Sequence, residues 1–239
     1  MRILYLFIGL LSLLPESLPA NTDRPALPEF SAVYKLLYGG FEIGEIRRSV
    51  QQTGPDTYRY ESDSNSSGMA ALFYDNQIRE ISEWSYKNNQ FIPGHYSYTK
   101  TRNKKIYKIG INFDWNKKIS LNRINRQQLQ LKLENGFLDR LLYQYVIMVD
   151  LMNGKFPEQY TVVDARKIKT YEFQKAEKEK INTPLGDLQT IRINMNKKGE
   201  KSTLSLWCSE EYHFLPIKIE STDEDGRTVT ALINSIEKL

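Results

Sequence analysis

The side chains best suited to chemistry are few and scattered. His95 and His213 are the only histidines, and neither has Cys, His, Asp or Glu at metal-ligand spacing. His-x-x-x-His and Cys-x-x-Cys pairs are absent, so no metal site is expected. A serine hydrolase sets its nucleophile on a sharp Gly-x-Ser-x-Gly turn; no such run occurs, and Ser66-Ser67-Gly68 reads as a loop. Gly39-Gly40 with Gly44 offers a glycine cluster, but strand-forming residues follow it rather than the helix a phosphate cradle needs. Glu80 with Glu83 and Glu210 with Glu211 fit exposed strand or turn positions. Cys208, the single cysteine, lies in the alternating run Leu204-Ser205-Leu206-Trp207-Cys208 and reads as a small strand residue, not a nucleophile. The expectation is a protein that is not an enzyme, with no catalytic residue and no cofactor.

The aromatic residues are more informative. Fifteen Tyr, ten Phe and three Trp are spread along the chain, many on one face of a strand, as in Tyr34 and Tyr38, Tyr58 and Tyr60, Trp84 and Tyr86, or Tyr96 and Tyr98. Such side chains line cavities for apolar or amphiphilic ligands, although their liking for a pleated surface accounts for many of them. The densest basic stretch is Lys100, Arg102, Lys104, Lys105 and Lys108, beside Tyr96, Tyr98 and Tyr107. Lysines among aromatics can grip nucleic acid or acidic headgroups; the plainer reading, a solvated hairpin tip, is the one expected here. No nucleic-acid partner is expected.

The elements that position these residues are mostly strands. Short aromatic and β-branched runs recur between Gly, Asn, Asp and Pro clusters. Gly39-Gly40 separates Phe30–Tyr38 from Phe41–Gln51 and supplies the positive φ of a tight hairpin. Asn88-Asn89 does the same between Ile78–Lys87 and Phe91–Thr101, and Asn116-Lys117-Lys118 parts Ile106–Trp115 from Ile119–Leu133. Lys197-Lys198-Gly199 and Asp223 to Gly226 divide the later runs. Pro93 and Pro216 cannot donate to a ladder, so each marks an edge, a bulge or a strand start. Between Gly136 and Gly154, Leu138, Leu141, Leu142, Tyr145, Val149 and Met152 recur at steps of three and four, the helical period. Asp139 near its start suits the helix dipole, and Gly154 can end it. A short helical turn is also expected around Gly68 to Phe73. The pattern predicts about ten to twelve antiparallel strands and one long helix.

The N-terminus carries an export signal. Arg2 precedes the apolar run Ile3 to Leu14, which Pro15 and Glu16 break before Leu18-Pro19-Ala20 offers a small residue at a cleavage point. The run is shorter than the roughly 20 residues that span a bilayer, and no Cys follows it to carry a lipid. No later stretch is long and apolar enough to cross a membrane. Residues 1–20 are read as a signal peptide, 21–29 as a flexible lead-in, and 30–239 as one domain. Loss of Arg2 and Glu16 leaves the formal charge at +4. With one cysteine there is no internal disulfide, so the core alone must hold the fold.

YKLLYGGFEIGE, with Tyr34, Gly39 and Gly44, resembles the start of a bacterial exported family, domain of unknown function 3108. FIPGHYSY, INFDW at 111–115, LENGFLDRLLYQY, TPLGDLQTIRI and LSLWCSEEYHFLPIKIE are similar to its later segments in the same order, over about residues 30 to 238. That family often has Asp-x-Leu-Ser at the helix start; here Asp139 is followed by Arg140-Leu141-Leu142, which leaves no Ser for a role there. The resemblance implies an envelope location and a fold, and transfers no catalytic residue. The closing Trp-strand and Pro-strand hairpin also looks like periplasmic lipoprotein-carrier domains, in which a curved sheet covers an apolar cavity closed by helices.

The expected protein is mainly β: an antiparallel β-barrel or curved half-barrel, with a helix at about 137–153 packed against its open side as a lid. Its expected role is periplasmic and soluble, holding a lipid or other amphiphile on the concave face, with Tyr96, Tyr98, Leu142, Tyr145 and Val149 as contact residues. The alternative is a module that binds another envelope protein. Sequencing of the exported protein should begin at Asn21; an N-terminus at Met1 in the exported pool would refute the cleavage.

Overall fold

The strands are cut to length by tight turns. The computed structural model describes residues 27–66, 76–156, 158–197 and 202–239. The expected signal peptide, most of the expected lead-in and the turn expected at Gly68 to Phe73 lie outside the described residues. Gly39 and Gly40, Asn88 and Asn89, and Asn103 and Lys104 all adopt positive φ. Paired positive φ values give two-residue loops whose twist matches that of the strands they join.

Fifteen strands result among the described residues. They are β1 Phe30–Tyr38, β2 Phe41–Gly54, β3 Thr57–Ser66, β4 Asn76–Lys87, β5 Gln90–Arg102, β6 Lys105–Asp114, β7 Ile119–Ile124 and β8 Gln127–Lys132. After these come β9 Leu138–Asp139, β10 Gln159–Asp164, β11 Lys167–Thr183, β12 Gly186–Lys197, β13 Thr203–Ser209, β14 Leu215–Thr222 and β15 Thr228–Lys238. The count exceeds the expected ten to twelve because several runs fold back on residues that carry no obvious turn signal. The run Ile119–Leu133 is two strands, reversed at Asn125 (φ 52), and β10 turns into β11 at Ala165 (φ 48).

All fifteen strands form one sheet in the order β8-β7-β6-β5-β4-β3-β2-β1-β15-β14-β13-β12-β11-β10-β9. Every neighbouring pair is antiparallel except β9 with β10. Alternate turns therefore gather at the same end. The turns at 39–40, 103–104, 125–126, 165–166 and 223–227 mark one end, called the Gly39 end. Those at 55–56, 88–89, 115–118 and 184–185 mark the other, the Asn88 end. Bulges bend the sheet where the two prolines sit: the register shifts between Glu83 and Trp84 opposite Pro93, and between Trp207 and Cys208 opposite Pro216. Extra residues at such points increase local twist and curvature.

The curved sheet stops short of a closed barrel. No main-chain ladder joins β8 to β9 or β10 among the described residues. Side chains stitch the two edges instead: Asn122 Nδ2 on β7 donates to the Ala165 carbonyl at 2.5 Å, and Arg166 donates to Gln127 Oε1 at 2.5 Å.

The helix α1 spans Leu142–Met152, shorter than the expected 137–153 because Leu138 and Asp139 are spent on β9. Gly154, at φ +69, lies just beyond its end. Eight of its eleven residues are buried. Leu142, Ile147 and Met148, spread around its circumference at about 100° per residue, are all at or below 1% exposure. A helix buried on every side lies inside a core. It fills the hollow of the sheet rather than covering an opening as a lid. The last residues of the expected lead-in belong to the packed structure: Leu27 is buried in the core, and the Pro28 carbonyl accepts from Tyr145 Oη at 2.8 Å.

A lid would tolerate truncation on its outer face. Here Leu142→Ala, Ile147→Ala and Met148→Ala should each cost about 2–5 kcal/mol in urea unfolding. Met152→Ala, at an exposed site, should stay within about 0.5 kcal/mol.

Candidate functional site

The start of α1 is pinned from inside the sheet. Asp139 is fully buried. Its Oδ1 accepts from the amides of Leu141 and Leu142, both at 2.9 Å, and its Oδ2 accepts from Ser82 Oγ on β4 at 2.6 Å. A short side chain bonding the backbone two and three residues on turns the chain and satisfies free helix N–H groups at once. Burial pushes the Asp139 carboxyl up to about 6, against the lowering effect of the Ser82 hydroxyl and the two amides; the charge of Glu80 adds to the rise. Both oxygens are committed, so the group positions the helix and presents no free face to a substrate.

Around this anchor the Gly39 end of the interior is polar. Tyr96 Oη donates to Glu80 Oε2 at 2.6 Å. The Arg140 guanidinium stands 5.7 Å from the centre of the Tyr98 ring and 3.6 Å from Asp164, which also pairs with Lys169 at 2.7 Å. Arg48 reaches down from β2 to Gln144 Oε1 at 3.0 Å and lies over the Tyr34 ring. A small cavity of about 160 Å³ opens among Glu80, Arg140, Tyr143, Gln144 and Tyr171. Through Gln144 and Arg140 these contacts tie α1 and the residues just before it to β2, β5 and β10.

The Asn88 end is apolar. Aromatic rings run in contact from Tyr58 through Trp84 (5.9 Å) to Tyr145 (5.4 Å) and Phe91 (6.1 Å). Beside them lies a cavity of about 340 Å³, walled by Phe91, Ile92, Trp115, Leu138, Val146 and Tyr160. Trp115 is held by a hydrogen bond from Nε1 to the Pro93 carbonyl at 2.7 Å, and Tyr160 by one from its hydroxyl to Asp150. Polar groups enter only at the rim, from Gln90 and Asn135. The volume is at the small end of ligand pockets and suits one apolar group rather than a whole lipid.

The five residues expected to contact a ligand lie elsewhere. Tyr96, Leu142, Tyr145 and Val149 are buried among protein side chains, and Tyr98 is half-buried against Arg140. None of them lines the apolar cavity. Leu142, Tyr145 and Val149 share one helix face, which packs on the sheet. The residues that do line the cavity come from the start of β5, the residue after β6, the segment 135–138 before α1, α1 itself and β10. No spacing marks such a set, because it converges only when the chain re-enters the hollow of the sheet. The basic stretch is a hairpin tip, with Asn103 and Lys104 at its turn, and Tyr96 points inward away from the lysines. Cys208 is buried, which pushes its thiol up to about 12 and leaves it unreactive. Among the described residues no group of three or more His, Cys, Asp or Glu is placed to hold a metal.

The model of a family described as "Protein of unknown function (DUF3108)" matches residues 33–233. The chain also resembles the crystal structure of a beta-barrel-like protein of domain of unknown function DUF1849 from Brucella abortus, with a TM-score of 0.58 at 8% identity. That match covers 89% of this chain and 98% of the other, and at such identity it speaks for the fold alone. No curated protein matches the chain.

The Asp139 anchor carries a pH signature. Its folded value lies above the ordinary 3.8, so its contribution is fully present below that value and is lost as pH rises through about 6. Asp139→Asn keeps an oxygen for both amides and offers Nδ2 to Ser82, so it should flatten the dependence of Tm on pH between about 4 and 7. Asp139→Ala leaves Ser82 and two amides without their acceptor and should cost roughly 2–4 kcal/mol.

Proposed function

The chain belongs to the DUF3108 family, and we propose that it is an exported, non-enzymatic binding protein of the cell envelope that takes the apolar end of an amphiphile into the Asn88-end cavity. The observation that carries this reading is the cavity itself. An apolar recess of about 340 Å³ persists in an interior otherwise filled by α1. Its walls are rigid aromatic and aliphatic side chains, and its rim is polar, the arrangement that orders an amphiphile with its head outward. The size calls for a short acyl segment or a single ring.

A second reading is a protein-binding module of the envelope. Phe41 is 78% exposed and Ile106 59%, both beside turns at the Gly39 end. Contiguous exposed apolar side chains mark partner sites, and Phe41 stands opposite the exposed Tyr38 while Ile106 adjoins the exposed Tyr107.

Native mass spectrometry of the gently purified mature protein should show a bound species that carries an acyl chain or ring, and Ile92→Trp, which fills the rim, should release it. A protein that carries no such species, and that enhances the fluorescence of anilinonaphthalene sulfonate equally with and without Ile92→Trp, would refute the cavity reading. The second reading predicts instead an envelope crosslink lost in a Phe41→Ser, Ile106→Ser double variant.

A further inference from the structure

Gly110 stands in the middle of β6 without a reason in the fold. Ile109 and Ile111 on either side point into the core, so alternation aims position 110 at the outer face. Its φ is not in the left-handed region, and a Cβ placed there would meet nothing within 4 Å. Gly44 differs: a Cβ there would lie 2.4 Å from the Asn65 carbonyl oxygen, so packing demands glycine. A strand-interior glycine costs about 0.5–1 kcal/mol relative to alanine. One that neither conformation nor crowding requires marks a place where something outside the fold approaches closely.

The surroundings of that gap are built for polar recognition. Register sets Ser97, Gly110, Arg123 and Gln128 in one outward row across β5 to β8, and His95, Asn112, Leu121 and Gln130 in the next. All of these but Ser97 line a groove of about 460 Å³ over Gly110. His95 Nδ1 is 2.8 Å from Asn112 Oδ1. With its amide oxygen turned inward, Gln128 accepts from the Arg123 guanidinium at 2.8 and 3.2 Å. Both contacts fix the polar groups in place ahead of any ligand.

Charge is concentrated on the same strands. Trp84 to Leu133 holds eleven Lys and Arg and one acid, a net +10, against +4 for the whole chain; the remainder is therefore −6. The one acid, Asp114, is occupied by Lys117. A guanidinium among basic strands selects an anion, and the amides of Asn112, Gln128 and Gln130 both donate to and accept from hydroxyls. The exposed face of Leu121 suits the C–H surface of a sugar ring. No Phe, Tyr or Trp lines the groove; the single imidazole of His95 falls short of the series of stacking rings that single-stranded nucleic acid needs.

We propose that the outer groove over Gly110 binds a saccharide that carries an anionic group. This site lies on the opposite face of the sheet from the interior cavity and stands or falls independently of it. Tetragalacturonic acid titrated calorimetrically into the mature protein should bind saturably, and uncharged maltotetraose should bind at least about tenfold more weakly. Gly110→Val and Gly110→Ala should keep or raise Tm while weakening tetragalacturonate, the valine by about tenfold or more. Arg123→Gln should weaken it to a similar degree. Undiminished binding in Gly110→Val, or no binding by the wild type, overturns the proposal. Equal binding of inorganic phosphate or of an oligothymidylate also overturns it, by reducing the site to a general anion surface or a nucleic-acid groove.

Discussion

The structure depends on one buried carboxylate that turns the chain into the centre of its own sheet. Asp139 gathers two helix amides and the Ser82 hydroxyl, and so joins the first turn of α1 to the wall that faces it. Without those bonds the helix would enter the interior with unpaired N–H groups, each costing of the order of 1–3 kcal/mol where water cannot reach. With them, a segment too apolar to lie in water becomes the core around which fifteen strands curve. Burial raises the carboxyl value in spite of those bonds: the protein keeps an acid in a dry place because its geometry is needed there.

Once α1 occupies the hollow, the two ends of the interior become different environments. Near the helix start, Arg48 bonds Gln144, Tyr96 bonds Glu80 and Arg140 pairs with Asp164, and these contacts make burial tolerable. Near the helix end, aromatic rings pack against one another and leave the recess beside Phe91, Trp115 and Tyr160. A sheet that encloses its own helix has room for an apolar group but not for a complete lipid. This separates the protein physically from carriers whose sheet covers an open cavity.

The outer face follows other rules. Strands β5 to β8 are tied to the rest of the interior by Ile109, Ile111, Phe113 and Ile124, which point inward. Their outward positions are free of packing demands, and they hold amides, cations and a bare glycine. Such freedom is where a sequence can record a function rather than a fold.

Much of the architecture could be read from the chain alone, because it rests on local chemistry. Gly39-Gly40 and Asn88-Asn89 turn hairpins since both residues of each pair accept positive φ, and Pro93 and Pro216 lie at bulges since neither can donate to a ladder. The helical period before Gly154 and the place of Asp139 near its start were equally legible, as was the ordered likeness to the family that includes the chain; the bond from Ser82 to Asp139, across 57 residues, was not. Turns at Asn125 and Ala165 were not, because single residues in left-handed conformation leave little compositional trace. The inside position of α1 was hidden for a different reason: Leu142, Leu141, Tyr145 and Val149 mark one apolar face, but only the wrapped sheet shows that Ile147 and Met148 on the other sides are covered too. The cavity walls come from five separate segments, and the Gly110 groove from four strands in register. Periodicity along a chain says which way a side chain points. Which distant side chains it meets is decided by the curvature of the sheet around α1, and that is a property of the tertiary structure alone.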